Sequence, residues 1–251
     1  MRRLAVAIVA TACLVALALW FSGALRHHDE TTVRLDGFVD TVIIEVDRGR
    51  VEVRAGKSTG VTTIDRTRHA FLGAPSPTTE RLEAGRLRVV GICPGGLVLA
   101  CRTDFRVEVP EEASVKILTG SADVVVVGMK AGVQVLSRSG DIRLERLGGD
   151  SLDAQSAGGR IDGEDIAATD VDARSEAGPI SLALTRDANS VDIQTTTGMV
   201  FLTVPGGPYR VEAESLFGVV KVDVPINQGS RQIIAIRAPR GDIQVRSAPP
   251  P

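Results

Sequence analysis

The chain has 251 residues, of which 43% are hydrophobic, 24% are charged and 3% are aromatic, and its formal net charge is −2. This length is enough for one sizeable hydrophobic core or for one extended repeat domain. A mildly negative chain has no electrostatic reason to bind nucleic acid, so the composition argues against that class of protein. Valine favours pleated surfaces and glycine favours turns, and the abundance of both predicts an all-β fold.

The N-terminal segment is an uncharged apolar run, residues 4–25, that follows Arg2 and Arg3. A helix of that length spans roughly 33 Å, about one hydrocarbon core, so we expect one N-terminal transmembrane helix. The two arginines predict a single-pass protein of the plasma membrane whose C-terminal body lies on the extracytoplasmic side. Small residues at 22–24 leave open a cleaved signal peptide followed by secretion, and Cys13 leaves open lipidation.

The pattern of the sequence divides the chain into five parts. We expect the anchor or signal peptide at 1–25, a juxtamembrane linker at 26–32, irregular first turns that cap a β domain at 33–110, a regular β-repeat region at 111–247 and a proline tail at 248–251. A cap is expected because exposed terminal strands of a stack invite edge-to-edge aggregation.

Two cysteines of the cap region, Cys93 and Cys101, bracket the heptapeptide PGGLVLA. Outside the cytoplasm, two thiols this close in sequence usually pair, so we expect a disulfide. Two buried free thiols are the other interpretation. A zinc site is not expected, because His69 is the only histidine beyond the membrane-proximal His27 and His28.

A turn-and-strand motif recurs about every twenty residues in the repeat region. In each copy, apolar residues two apart lead to a serine or threonine, a glycine follows three residues later, and a second strand with apolar residues two apart comes next. One copy cannot bury its apolar face alone, whereas stacked copies can, so the pattern predicts a two-sheet β-solenoid. An antiparallel sandwich of hairpins is the alternative. The glycines are Gly140, Gly159, Gly178, Gly198, Gly218 and Gly241. The first and last copies are frayed, because Ala122 takes the place of the glycine in the first and Ala238 takes the place of the hydroxyl residue in the last.

The two polar or small positions that recur in the motif, the turn glycine and the hydroxyl residue, both have structural interpretations. The turn glycine is expected at a corner that needs a positive φ or has no room for a Cβ. The hydroxyl residue at the end of each inward strand is expected to hydrogen-bond the corner backbone, rather than to form an active site. The hydroxyl column consists of Thr119, Ser137, Ser156, Ser175, Thr195 and Ser215.

The chain resembles a family of bacterial envelope proteins described as candidate adhesins, which carry a β-strand-repeat domain of unknown function. The resemblance rests on VIIEVDRGRVEVRAG at 42–56, on FRVEVPEEASVKILTGSADVVV at 105–126 and on the S-x-x-G-x-[IV]-x-[LIV] ladder, and it covers nearly all of residues 33–247. These are scaffold motifs, and they bring no catalytic residue to this chain. The chain departs from the pattern at Ala122, where the family often has glycine.

The sequence offers little that points to chemistry. It contains no HExxH, no G-x-S-x-G and no P-loop, and it has three histidines in all. We therefore expect no enzyme, no catalytic residue and no cofactor, with a polysaccharide-active solenoid enzyme as a remote alternative. One outward column of carboxylates is a weak candidate for a Ca²⁺ ladder, and a solvated face is its other interpretation. Its members are Asp153, Asp172, Asp192 and Glu212.

These observations predict a membrane-anchored, non-enzymatic extracytoplasmic protein that acts as an envelope binding or adhesin-like scaffold. Its expected partners are the membrane, through residues 4–25, and a wall polymer or another envelope protein. The alternative is the extracytoplasmic part of a membrane regulatory or envelope-stress-sensing assembly.

Overall fold

A computed structural model of the chain describes residues 26–56, 60–71, 77–93 and 99–248. The predicted anchor lies outside these ranges, as do the last three residues. The described residues form 21 β-strands, and among them no helix is long and apolar enough to cross a membrane. The strands are β1 (Arg26–Asp36), β2 (Thr41–Val46), β3 (Gly49–Gly56), β4 (Val61–Phe71), β5 (Thr78–Glu83), β6 (Arg86–Gly91), β7 (Leu99–Pro110), β8 (Ser114–Thr119), β9 (Asp123–Val127), β10 (Val133–Ser137), β11 (Ile142–Glu145), β12 (Ser151–Ser156), β13 (Ile161–Ile166), β14 (Asp170–Ser175), β15 (Ile180–Leu184), β16 (Ser190–Thr195), β17 (Val200–Val204), β18 (Arg210–Glu214), β19 (Val220–Asp223), β20 (Ile233–Arg237) and β21 (Ile243–Ser247).

The described strands form two sheets, which confirms the expected all-β, two-sheet architecture. Sheet A has eleven strands in the order β1-β4-β7-β3-β9-β11-β13-β15-β17-β21-β19. Sheet B has ten strands in the order β18-β20-β16-β14-β12-β10-β8-β2-β6-β5. From β6 onwards the chain alternates between the sheets, so that each coil contributes one strand to each sheet. Equivalent strands pair in parallel, one strand spacing of about 4.8 Å apart.

The core lies between the two sheets and is built from the apolar residues at every second position. In β10, for example, Val133 and Val135 are buried whereas Gln134 between them is half-buried on the outer face. The same inward position repeats from coil to coil in register, so like residues stack on like residues. Each fully buried aliphatic side chain contributes about 1.5–3 kcal/mol. One such column of sheet A is Ile142, Ile161, Ile180, Val200 and Ile243.

The corner glycines are required by close backbone contact. A Cβ on Gly159 would lie 2.1 Å from the carbonyl oxygen of Gly140, and a Cβ on Gly178 would lie 2.1 Å from that of Gly159. Of the two explanations offered by the sequence, absence of room therefore applies at these corners. The hydroxyl column is structural, as expected, because the Ser156 and Ser175 Oγ atoms each accept the amide hydrogen bond of the following corner glycine at 2.8 Å.

The N-terminal end of the stack is closed by antiparallel strands. Strand β1 pairs with β4 along its whole length, β4 pairs with β7, and β5 pairs with β6. The expectation of a linker at 26–32 is therefore wrong, because these residues form the first part of β1. The charged residues at 26–32 obscured this strand in the sequence pattern. Its inner face includes Val33 and Leu35, which pack against the core.

The predicted disulfide between Cys93 and Cys101 is present. The two Sγ atoms are 2.14 Å apart and the two Cα atoms are 5.8 Å apart. The bond joins the end of β6 in sheet B to the start of β7 in sheet A. It therefore fixes the point at which the chain crosses between the sheets, and Cys101 is buried there.

The coils at the C-terminal end do not stack in sequence order. The last coil, β20 and β21, lies between the β16–β17 coil and the β18–β19 coil in both sheets. As a result Gly241 packs on Gly198, and Gly218 packs on Gly241. The sequence indicated a frayed last copy at the end of the stack. The inner position is instead occupied by the β20–β21 coil, whose Ile234 and Ile236 are larger than the equivalent apolar residues of β18 and are almost completely buried.

Candidate functional site

The outer face of sheet B carries the acidic column that the sequence indicated. Asp153, Asp172 and Asp192 lie side by side on the neighbouring strands β12, β14 and β16. The fourth predicted member, Glu212, does not continue the column, because Ala235 of the inserted coil pairs with Asp192 on one side and with Glu212 on the other. The ladder therefore has three consecutive carboxylates rather than four.

Neighbouring amide and guanidinium groups compensate these carboxylates within the sheet. Arg174 lies 2.5 Å from an oxygen of Asp172 and 3.7 Å from one of Asp192. Three glutamines on β10, β12 and β16 donate hydrogen bonds to the other two carboxylates. The donor–acceptor distances are 2.8 Å for Gln134 to Asp153, 3.0 Å for Gln155 to Asp153 and 3.2 Å for Gln194 to Asp192.

Asp172 occupies the least favourable position for a negative charge in the column. Burial raises the pKa of its carboxyl group, Arg174 opposes that shift, and the charges of Asp192 and Asp153 add to it. Its Oδ1 atom is buried and has no hydrogen-bond partner. Within the described ranges, no group of three or more His, Cys, Asp or Glu side chains converges closely enough to hold a metal ion. A linear, internally paired column is poorly suited to Ca²⁺, which needs convergent oxygen ligands.

A second outward column, next to the acidic one, lines an open groove of about 540 Å³. The column runs through five neighbouring strands, and at a spacing of about 4.8 Å it extends for roughly 19 Å. Four of its five members carry amide or guanidinium donors, and the fifth, Leu136, is apolar. The five members are Leu136, Gln155, Arg174, Gln194 and Arg237.

The groove holds polar groups but not the groups of a general acid–base pair. Glu176 is the one carboxylate among its lining residues, and neither histidine nor cysteine lines it. The side chains of Ser156 and Ser175 are buried, and the oxygen of each accepts the corner hydrogen bond described above. The groove is thus equipped to bind an extended polar molecule along the coils.

Tyr209 is a structurally important residue that the repeat pattern did not indicate. It is almost completely buried, its hydroxyl group donates to Asp187 Oδ1 at 2.7 Å, and it also lies 3.0 Å from the carbonyl oxygen of Pro205. Burial raises the pKa of this hydroxyl group, and the hydrogen bond to Asp187 adds to the shift. Tyr209 anchors the Gly-Gly-Pro loop that carries the chain past the place of the inserted coil. The signal in the sequence that could have indicated this role was a single tyrosine directly after that loop.

Residues 102–246, more than half of the chain, match the family described as Toastrack DUF4097. The chain belongs to this family. The matched region begins in β7 and ends in β21, so the Toastrack domain comprises the regular coils together with the inserted one. No curated protein matches the chain.

Several solved structures are similar to the chain at low identity. A candidate adhesin from Bacteroides fragilis is 12% identical, with a TM-score of 0.49, over 88% of this chain and 97% of that chain. A candidate adhesin from Parabacteroides distasonis has the same identity and coverage, with a TM-score of 0.48. A candidate cell adhesion protein from Clostridium sporogenes is 12% identical, with a TM-score of 0.42, over 88% of this chain and 100% of that chain.

Proposed function

We propose that this Toastrack protein is a non-enzymatic binding scaffold of the extracytoplasmic envelope, which holds an extended polar polymer along the outer face of sheet B. The observation that carries the proposal is the groove, because it crosses several coils and has an amide or guanidinium side chain on four of the five strands that it crosses. A polymer with repeating hydroxyl, amide or anionic groups can meet such a surface at several steps at once. A wall polysaccharide has this chemistry.

The cellular placement is part of the same proposal. The uncharged run at 4–25, preceded by two arginines, supports an anchor that leaves the Toastrack domain outside the cytoplasm. The disulfide between Cys93 and Cys101 supports the same side, since disulfides persist in oxidising compartments. An adhesin-like role agrees with a rigid stack that displays one long polar face.

The proposal is tested with the full chain in detergent and an insoluble wall polysaccharide as the probe. Bound protein is measured by cosedimentation for the parent and for the variants Arg174→Gln and Arg237→Gln. Each variant should bind about two- to fivefold more weakly, because exposed charged contacts contribute up to about 1 kcal/mol. Arg143→Gln is the matched control, since Arg143 is an exposed, ion-paired strand residue of sheet A.

Two outcomes would contradict the proposal. One is an equal loss of binding in the Arg143 variant, because the outer face of sheet B would then have no special part in binding. The other is release of soluble reducing ends from the polysaccharide, which would show cleavage and therefore an enzyme.

A further inference from the structure

The coil formed by β18 and β19, here called the outer coil, ends both sheets at once. Strand β18 is the last strand of sheet B and β19 is the last strand of sheet A. Each therefore has one edge whose backbone N–H and C=O groups pair with no strand of the described chain. Unpaired strand edges of this kind are templates for β-pairing with another chain.

The core is uncovered at the outer coil. Its inward side chains continue buried columns, since Val211 pairs with Ile234 and Val220 pairs with Ile243. Val220 is nevertheless 40% exposed, whereas Ile243 in the coil beneath it is 1% exposed. The end of the stack thus presents an apolar cross-section of the core to the surroundings.

The corner of the outer coil is also apolar where other corners are polar or small. Leu216 and Phe217 are 77% and 80% exposed, and Val219 beyond the glycine is 70% exposed. The equivalent pair of corner residues is Arg138-Ser139, Glu176-Ala177 or Thr196-Thr197 in inner coils. Contiguous exposed apolar residues of this size mark interaction surfaces.

The opposite end of the stack also has one free edge in each sheet, but its edge strands, β1 and β5, pair antiparallel with their neighbours. Most residues of these two strands are charged or carry a hydroxyl group. The described chain begins with β1, at that opposite edge. The last three residues are prolines, which have no backbone N–H to give to a ladder. Within the part of the chain that the structure describes, no strand pairs with the free edges of the outer coil.

The charge pattern of the outer coil identifies a partner that fits it. Outward residues of β18 are Arg210, Glu212 and Glu214, and those of β19 are Lys221 and Asp223. We propose that two copies of the chain join end to end, with β18 of each copy pairing antiparallel with β19 of the other. In one register Arg210 faces the partner's Asp223, and Glu212 faces the partner's Lys221. The inward residues of that register are all apolar: Val211 opposite the partner's Val222, and Ala213 opposite the partner's Val220.

A two-fold axis parallel to the strands produces this arrangement in both sheets together. The strands β18 and β19 run in opposite directions because one corner joins them, so rotation about such an axis places β19 of one copy beside β18 of the other in antiparallel orientation. The same rotation brings the two Leu216-Phe217 corners together. Both cores are then covered, and isologous interfaces of this kind close on themselves instead of forming fibres.

The test uses charge reversal in the full chain, kept in mild detergent. Glu212 and Lys221 are exposed and lie in different sheets, so Glu212→Lys or Lys221→Glu should leave the fold intact. Either variant alone places like charges opposite each other twice per dimer and should weaken self-association by about tenfold or more. An equimolar mixture of the two variants should associate as well as the parent protein, because every facing pair is then of opposite sign.

Association is measured by sedimentation equilibrium of each protein and by energy transfer between differently labelled copies in the mixture. Lys116→Glu, a charge reversal on the inner strand β8, is the control and should leave self-association unchanged. Three results would overturn the proposal. These are a monomeric parent protein, single variants that associate like the parent, and a mixture that stays as weak as its components.

Discussion

A methyl group at Gly159 should destabilise the domain, whereas the same methyl group at the adjacent Gly158 should not. At Gly159 the new Cβ would lie 2.1 Å from the carbonyl oxygen and 2.6 Å from the carbonyl carbon of Gly140. At Gly158 no atom lies closer than 3.9 Å to such a Cβ. Neither glycine has a positive φ, so the two alanine variants differ in steric contact rather than in backbone strain.

The expected loss of stability in Gly159→Ala follows from the atoms that must move to relieve the clash. The clashing atoms at Gly159 belong to the backbone of the neighbouring coil, so relief requires the two strands to separate by about 1 Å against their ladder of hydrogen bonds. Overpacking of this kind costs about 1–3 kcal/mol and occasionally more. Both substitutions also restrict the unfolded chain, which stabilises the native state by about 0.4–1 kcal/mol. The unfolded-state effect is common to both variants, so their difference isolates the clash, and we expect it to be about 1–3 kcal/mol.

Thermal unfolding followed by far-ultraviolet circular dichroism measures this difference. For a domain of this size, 1 kcal/mol shifts Tm by about 2–4 °C, so Gly159→Ala should melt roughly 2–12 °C below Gly158→Ala. Urea titration gives the free energies of unfolding independently. Equal melting temperatures for the two variants would refute the argument that the corners have no room for a side chain.

Three further changes have definite expected outcomes. Replacing Cys93 and Cys101 by serine should lower the free energy of unfolding by about 2–3 kcal/mol, measured by urea titration, because the bond closes a short loop; equal stability under reducing and oxidising conditions would contradict this. Tyr209→Phe should cost about 1 kcal/mol through loss of the hydrogen bond to Asp187, and an unchanged Tm would argue against that bond. The raised pKa of Asp172 means that the native state binds its proton more tightly than the unfolded state. Its contribution to stability should therefore be present below the unfolded pKa and be lost as the pH rises through the native pKa, and Asp172→Asn should abolish this part of the pH profile.

Much of the fold could be predicted from the sequence because its information is local and periodic. The positions of Gly140 to Gly198 and of the apolar residues around them repeat with nearly constant spacing, and parallel coils keep that spacing in register. The disulfide could be predicted for a similar reason, since Cys93 and Cys101 are close in sequence. The sequence left two reasons for the corner glycines, a positive φ or a lack of room for a Cβ. Only the structure decides between them, because it shows the carbonyl oxygens beside these glycines.

The departures from prediction occur where the partner of a strand is not its neighbour in sequence. The run at 26–32 reads as a linker because its partner, β4, begins only at Val61 and pairs antiparallel. The prediction that Glu212 continues the acidic column was wrong for the same reason. The chain skips one strand position in sheet B and fills it later with β20, which carries Ala235. The groove on sheet B was also not predicted, since it is formed by one side chain from each of several coils.

The skipped position affects the order in which the C-terminal end can assemble. Synthesis delivers β18 and β19 before β20 and β21, so the strands that end the stack exist before the surface on which they pack. Docking of β18 directly on β16 would place Glu212 beside Asp192, and this repulsion opposes premature closure. Arrival of the last coil separates the two carboxylates with Ala235 and completes the stack. Strands β20 and β21 therefore hold the outer coil on the stack, and a chain that ends before residue 232 should lose the packing of two coils instead of one.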